Sequence, residues 1–317
     1  MGISRRTALK TLIAAGGASL ASAATAHAAG AEAKLKCAHC HAPPDAVGLL
    51  YDSTRCIGCK ACMVACNKAN DLPPDTRLSD GRWQMPTDLN EYTKNIIKVY
   101  QDPDTGESAF IKRQCMHCID PACTNACMLG ALKKRERGIV TYDADLCVGC
   151  RYCAMACPFN IPKFEWEKLA SKIVKCELCN HRIAEGKRPA CTEVCPTAAV
   201  VYGTRHELLD EARARLAAEP DRYVPKVYGE TDAGGTQVLY LSHVDFTKLG
   251  LPDIGEDSVP EPVRAVQQAV YRGFIAPVVL YAVLASVAIR NRRHPHLPEN
   301  DAGGGGNAGT RNKESRS

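Results

Sequence analysis

Apolar positions in this 317-residue chain come mostly in short runs rather than in long amphipathic periods. Residues 96–100 and 108–113 flank the segment Asp102-Pro103-Asp104-Thr105-Gly106, and two β-rich runs around such a turn predict a hairpin. Residues 138–142, 199–202 and 236–242 each predict a further short strand. Thr204 with Glu207 three positions on forms a capping box, which predicts a helix over 205–218. Two apolar runs are longer. Residues 11–26 follow SRRTALK and end at Ala26-His27-Ala28, so residues 1–28 read as a twin-arginine signal peptide, with Ala8 where phenylalanine is usual. Residues 273–289 carry no charge and would make about 25 Å of helix. A buried core helix fits that length, but Arg272 before the run and Arg290, Arg292 and Arg293 after it favour a membrane anchor over 263–293. The heavier positive flank sets the C-terminus in the cytoplasm and the rest of the chain outside. Residues 294–317, rich in glycine, read as a disordered tail.

Composition changes this picture through cysteine. Only 6% of the residues are aromatic while 18 are cysteine, so metal ligation is expected to supply order that a large apolar core would otherwise give. The formal charge of +5 falls to about +2 once a leader carrying Arg5, Arg6 and Lys10 is removed. Such a balance gives no case for nucleic acid.

Sixteen cysteines fall in four runs. The third, CVGCRYCAMACP, holds Cys147, Cys150, Cys153 and Cys157 before Pro158. This is the spacing of bacterial 4Fe-4S binding, in which three thiolates cap one cluster and the fourth ligates a neighbour. Cys56, Cys59, Cys62 and Cys66 repeat it; Cys115, Cys118, Cys123 and Cys127 widen one gap; Cys176, Cys179, Cys191 and Cys195 contain an eleven-residue insertion. Four residues within eleven positions suit no single tetrahedral zinc site, and a signal for folded export opposes a disulfide framework. Four 4Fe-4S clusters are therefore expected.

Because each fourth cysteine crosses over, the runs must pair. The simplest arrangement joins runs two and three in one ferredoxin-like unit inserted into another made of runs one and four. Cys127 then completes the site of Cys147, Cys150 and Cys153, and Cys157 that of Cys115, Cys118 and Cys123. Cys195 completes Cys56, Cys59 and Cys62, while Cys66 completes Cys176, Cys179 and Cys191. Pairing one with two and three with four remains open. The fold expected is α+β: an outer unit over 51–105 and 165–205, an inserted unit over 106–164, an extension over 206–262, and the C-terminal transmembrane helix. Residues 29–50 form an N-terminal segment.

The stretch KRQCMHCIDPACTNACMLGALKK at 112–134, the flanks CRYCAMACPFNIPKFEW, and GGTQVLYL with the C-terminal apolar run resemble the HybA-type electron-transfer subunits of membrane-bound nickel-iron hydrogenase-2. More broadly they resemble the four-cluster iron-sulfur subunits of molybdopterin oxidoreductases such as formate dehydrogenase. The resemblance covers nearly all of the mature chain and implies the interleaved pairing above. It also implies a subunit with no catalytic site of its own. Such a subunit relays electrons between a periplasmic hydrogenase, with its small and large subunits, and a polytopic quinone-reactive membrane subunit. Met128, where proline commonly follows the second run, departs from the pattern.

Cys37-Ala38-His39-Cys40-His41 also departs from it. It matches the c-type haem attachment pattern, which makes Cys37, Cys40 and His41 candidate haem residues. A local disulfide or metal site is the competing reading, since little chain is available there to wrap a haem. Gly149 is expected to relieve crowding against a cluster. Lys60 and Arg151 lie inside their runs where a cation would favour a reduced cluster, while His117 reads as a loop residue. Trp83, Phe159 and Trp166 read as packing.

Overall fold

The computed structural model describes residues 41–73, 86–166, 168 and 171–293. The predicted leader, Cys37, Cys40, Trp83 and the tail lie outside the described residues. Residues Met1–Glu261 and Pro262–Ser317 form two compact units.

The first unit is built on a three-stranded sheet whose central strand, β1 (Val47–Asp52), is buried at every position. It pairs antiparallel with β8 (Val200–Thr204) and parallel with β9 (Val238–Leu241). Period-two alternation divides its side chains between two cores. Leu50 packs with Leu208, Leu209 and Ala212 of α6 (Arg205–Ala218), whereas Val47, Leu49 and Tyr51 join the core that also contains Cys62, Cys115, Cys176 and Cys191. β1 thus carries the helical layer on one face and the cysteine-bearing loops on the other. It crosses the boundary drawn at residues 50 and 51 from sequence. The segment 206–261 belongs to this unit, because β9 supplies an edge strand beside β1 and Tyr240 packs edge to face on Tyr51 at 5.5 Å.

The helix predicted over 205–218 forms with those bounds. Thr204 Oγ1 accepts from the Glu207 N–H at 3.3 Å, and Glu207 Oε2 accepts from the Thr204 N–H at 3.0 Å. Thr204→Ala is expected to cost about 1 kcal/mol, read as a lower urea midpoint with an unchanged slope.

The predicted hairpin is β2 (Asn95–Gln101) with β3 (Ser108–Gln114), in register Ile97 to Lys112. Asp102 holds its turn by accepting from the Asp104 and Thr105 N–H groups at 3.0 and 3.1 Å. These bonds, with Lys248 and Tyr100, hold its carboxyl far below the usual range. A depressed carboxylate stabilises above its unfolded pKa and loses that effect as pH falls through the folded one. The Asp104 and Thr105 amides should therefore lose hydrogen-exchange protection in Asp102→Ala, and in the wild type only under strong acid.

Short ladders complete the cysteine-rich part: β4 (Leu132–Lys134) with β5 (Val140–Tyr142), and β6 (Lys163–Phe164) with β7 (Ile173–Val174). The strand predicted from 138 starts two residues later, because Glu136–Gly138 forms a 3-10 turn.

The described residues of the second unit all lie in one 33-residue helix, α7 (Glu261–Arg293), with Pro277 inside it. Side chains at 278–289 are all exposed and none is charged. Ser286 Oγ donates to the Ala282 carbonyl at 2.7 Å, so its hydroxyl is satisfied within the helix. Among the described residues no helix is long and apolar enough to cross a membrane.

Candidate metal centres

Each cysteine run enters through the same turn. The residue before the second cysteine is left-handed in all four: Gly58 (φ 67°), His117 (48°), Gly149 (73°) and Leu178 (52°). Runs one and three use glycine, whereas His117 and Leu178 accept a conformation that costs roughly 1 kcal/mol. At Gly149 a Cβ would sit 2.9 Å from the Ser171 carbonyl oxygen. Positive φ and this neighbouring backbone favour glycine there.

The turn feeds a helix bearing the third cysteine. Cys62 lies in α1 (Ala61–Ala69), Cys123 in α2 (Ala122–Asn125), Cys153 in α3 (Tyr152–Ala156) and Cys191 in α5 (Ala190–Glu193), which follows α4 (Asn180–Ala184). The fourth cysteine comes four residues later each time. Helix α1 packs against α5, and α2 against α3, so runs one and four meet, as do runs two and three.

All sixteen thiols are free, and their mutual electrostatics sort them into four sets. Burial pushes the Cys62 thiol up to about 11, opposed by Lys112 and aided by Cys56, Cys59 and Cys195. Burial lifts Cys118 well above its ordinary value, with Cys115, Cys157 and Cys123 adding to it. Cys153 rises to about 11 through burial, then Cys147, Cys150 and Cys127. Cys66 rises to about 12 through burial, with Cys176, Cys191 and Cys179 adding and Lys112 opposing. In every set the fourth member comes from the partner run. A cavity of about 300 Å³ is walled by Cys127, Cys147, Cys150 and Cys153, and a much smaller one, of about 20 Å³, by Cys56, Cys59, Cys62 and Cys195.

These sets fit 4Fe-4S clusters. Among the described residues no three His, Cys, Asp or Glu side chains converge closely enough for a single ion, whereas in a cubane each thiolate takes its own iron. Backbone donors already point at sulfur: the N–H groups of Gly58, Ala131 and Leu178 reach Cys56, Cys127 and Cys176 Sγ at 3.5, 3.2 and 3.4 Å. Such bonds favour the charged thiolate and tune a bound cluster.

Electrostatic couplings string the four sets into a row. We number them by the run supplying three members. Cys153 of the third raises Cys123 of the second. Cys176 of the fourth raises Cys115 of the second, and Cys62 of the first raises Cys191 of the fourth. The order is third, second, fourth, first. Cys150 and Cys59, in the two end sets, are the exposed thiols among the sixteen. Around Cys150 the chain exposes Met128, Val148, Tyr152, Met155 and Trp166; around Cys59 it exposes Ile57 and Val64.

Of the cations inside the runs, Arg151 stacks over Trp166 at 4.3 Å from the ring centroid, and burial lowers Lys60. Trp166, at 64% exposure, is a surface residue rather than core packing; Phe159 is buried. Nδ1 of His117 accepts from the Val140 N–H at 3.1 Å, which gives this fully buried ring a structural place. Two buried lysines escaped sequence reading, Lys112 and Lys175, because a lone lysine in a strand reads as solvated. His41 is exposed.

Residues 99–205 match the family described as a 4Fe-4S dicluster domain. The chain is 39% identical over 286 residues to the hydrogenase-2 operon protein HybA of Escherichia coli O157:H7, covering 80% of this chain and 87% of that one. It is 35% identical over 250 residues to the iron-sulfur subunit of the nitrate-inducible formate dehydrogenase of Escherichia coli K12, covering 76% and 82%. The cofactors are accordingly 4Fe-4S clusters, which supply one-electron carriers with little rearrangement of their ligands. With these matches laid over the crossed thiol sets, the chain belongs to the HybA-type family of electron-transfer iron-sulfur subunits.

Proposed function

We propose that this chain is the electron relay of a hydrogenase membrane complex, joining a periplasmic nickel-iron hydrogenase to a quinone-reactive integral membrane subunit. The row of four thiol sets with an exposed thiol in each end set carries the reading. A relay needs closely spaced centres and an accessible end for each partner, and the sixteen cysteines above are assigned as the ligands. Their grouping supports two interleaved ferredoxin-like units. The chain's own residues space the centres, bury the inner thiols and offer apolar skin beside Cys150 and Cys59. The chain contributes no substrate-converting site of its own in this reading.

Residues 263–293 serve as the single-pass anchor. The apolar run at 273–289 and the exposed, uncharged surface of α7 at 278–289 support this, since a helix apolar on all sides suits a lipid or protein surround. The cluster unit is then periplasmic, as the twin-arginine signal implies, and the C-terminus cytoplasmic. A chain ending at residue 262 should leave the membrane fraction for the soluble periplasm while keeping its iron; a truncated chain that stays membrane-bound would remove the anchor reading. Mild-detergent co-purification followed by identification of the large subunit tests the partner. A molybdopterin enzyme in its place would establish the second reading, the equivalent subunit of a formate dehydrogenase, which the similarity to formate dehydrogenase subunits favours. A haem on Cys37, Cys40 and His41 would be seen as a covalent haem stain of the mature chain.

A further inference from the structure

Lys112 is a fully buried lysine. Its exposure is 0%, and among the described residues no carboxylate forms an ion pair with it. Its ammonium donates to Gln114 Oε1, and its carbonyl accepts from the Tyr240 hydroxyl at 2.8 Å. Both bonds hold the residue in β3, at the position opposite Ile97. The hairpin in turn lies on α1: the Ile97 N–H meets Met63 Sδ at 3.3 Å, and Asn95 Nδ2 donates to the Cys62 carbonyl at 3.4 Å. A buried ammonium paired only with a neutral amide costs several kcal/mol unless negative charge compensates it. The compensation comes from sulfur. Burial alone would lower Lys112, yet Cys191, Cys62, Cys176 and Cys66 hold it above its ordinary value. Cys62 belongs to the first set, and the other three to the fourth.

We propose that Lys112 is a positive charge shared by two centres, holding up the reduction potentials of the clusters of the first and fourth sets together. When either takes an electron, the centre becomes one unit more negative and Lys112 favours that state. Because the same ammonium faces both, reduction of one uses attraction that the other would also use, so the two reductions are linked. Lys175 is the counterpart for the second set: it donates to the Val140 and Cys176 carbonyls at 2.5 and 3.0 Å and draws down Cys115, Cys123 and Cys157. The third set has no buried lysine among these contacts. It has the half-buried Arg151 in its cavity wall instead.

The proposal rests on the assignment of clusters to the four sets, and the experiment separates the two. Iron analysis and EPR of the full-length wild type test the assignment; fewer than four clusters would defeat it before any variant is made. In an EPR-monitored titration with dithionite as electron donor, Lys112→Met should make two clusters roughly tenfold harder to reduce, about 59 mV each. Signals are assigned with Cys195→Ser for the first set and Cys66→Ser for the fourth. Lys175→Met should shift the second set, and Lys112→Arg, which keeps the charge, should restore the wild-type values. No shift, an equal shift of all four clusters, or an arginine variant behaving like the methionine one would overturn the proposal. Should Lys112→Met lose its clusters, the wild type labelled with 15N at the lysine side chain decides. Electron-spin-echo modulation from that nitrogen on the reduced first or fourth cluster supports the proposal, and its absence from both overturns it.

Discussion

Cys127→Ser should change or abolish the EPR signal of the cluster held by Cys147, Cys150 and Cys153, while the cluster of its own run, on Cys115, Cys118 and Cys123, keeps its signal. Cys127 is four residues from Cys123, about one helical turn, so proximity along the chain predicts the opposite. The structure instead seats Cys127 in the cavity with Cys147, Cys150 and Cys153, and its charge acts on Cys153. Iron content should fall by up to roughly four atoms from about sixteen. Cys157→Ser should give the reciprocal result, altering the cluster on Cys115, Cys118 and Cys123. If each serine variant altered only its own run, the crossed sets would be wrong.

The largest effect on stability is expected at Asp52, at the end of β1. Its side chain is fully buried and accepts from Arg215 Nη1 at 2.9 Å, the Tyr223 hydroxyl at 3.0 Å and the Thr54 N–H at 3.0 Å. Arg215, itself only 10% exposed, ties α6 to the central strand through this carboxylate. Removing Asp52 leaves Arg215 only the exposed Glu211, at 2.8 Å, and takes the acceptor from the buried Tyr223 hydroxyl, so Asp52→Ala should cost about 3–5 kcal/mol. In a unit of this size that lowers the apparent melting midpoint by roughly 6–20 °C. The double variant Asp52→Ala, Arg215→Met should recover part of the loss, because it also removes the guanidinium that has lost its buried partner. A loss under about 1 kcal/mol in the single variant would mean that water screens the pair.

Sequence foretold what is locally encoded. The hairpin at 95–114 announces itself by β-rich runs around a Pro/Asp/Gly turn, and the helix at 205–218 by a capping box that forms as written. β1 left no such mark: VGLLYD lacks polar alternation because both its faces are covered, and its partners lie some 150 to 190 residues away. Cysteine spacing gave the four runs and the need for crossing, yet left two pairings open. Choosing between them takes the packing of α1 on α5 and of α2 on α3. Lys112 and Lys175 were illegible for a different reason. Their significance lies in burial without an ion-paired carboxylate among the described residues, a property of the fold and not of a residue type.

The parallel pairing of β1 with β9, and the completion of the first thiol set by Cys195, have a consequence for biogenesis. Cys56, Cys59 and Cys62 leave the ribosome about 140 residues before the thiol that closes their site. At about 5–20 residues per second, that is a wait of roughly 7–30 s with three reactive sulfurs unclosed. The sheet beneath them needs still more chain, up to Leu241. Metal loading of the outer pair is therefore a late event, coming after most of the polypeptide has been made. A carrier that shields the early thiols during synthesis would protect the step at which this protein is most exposed to mismetallation.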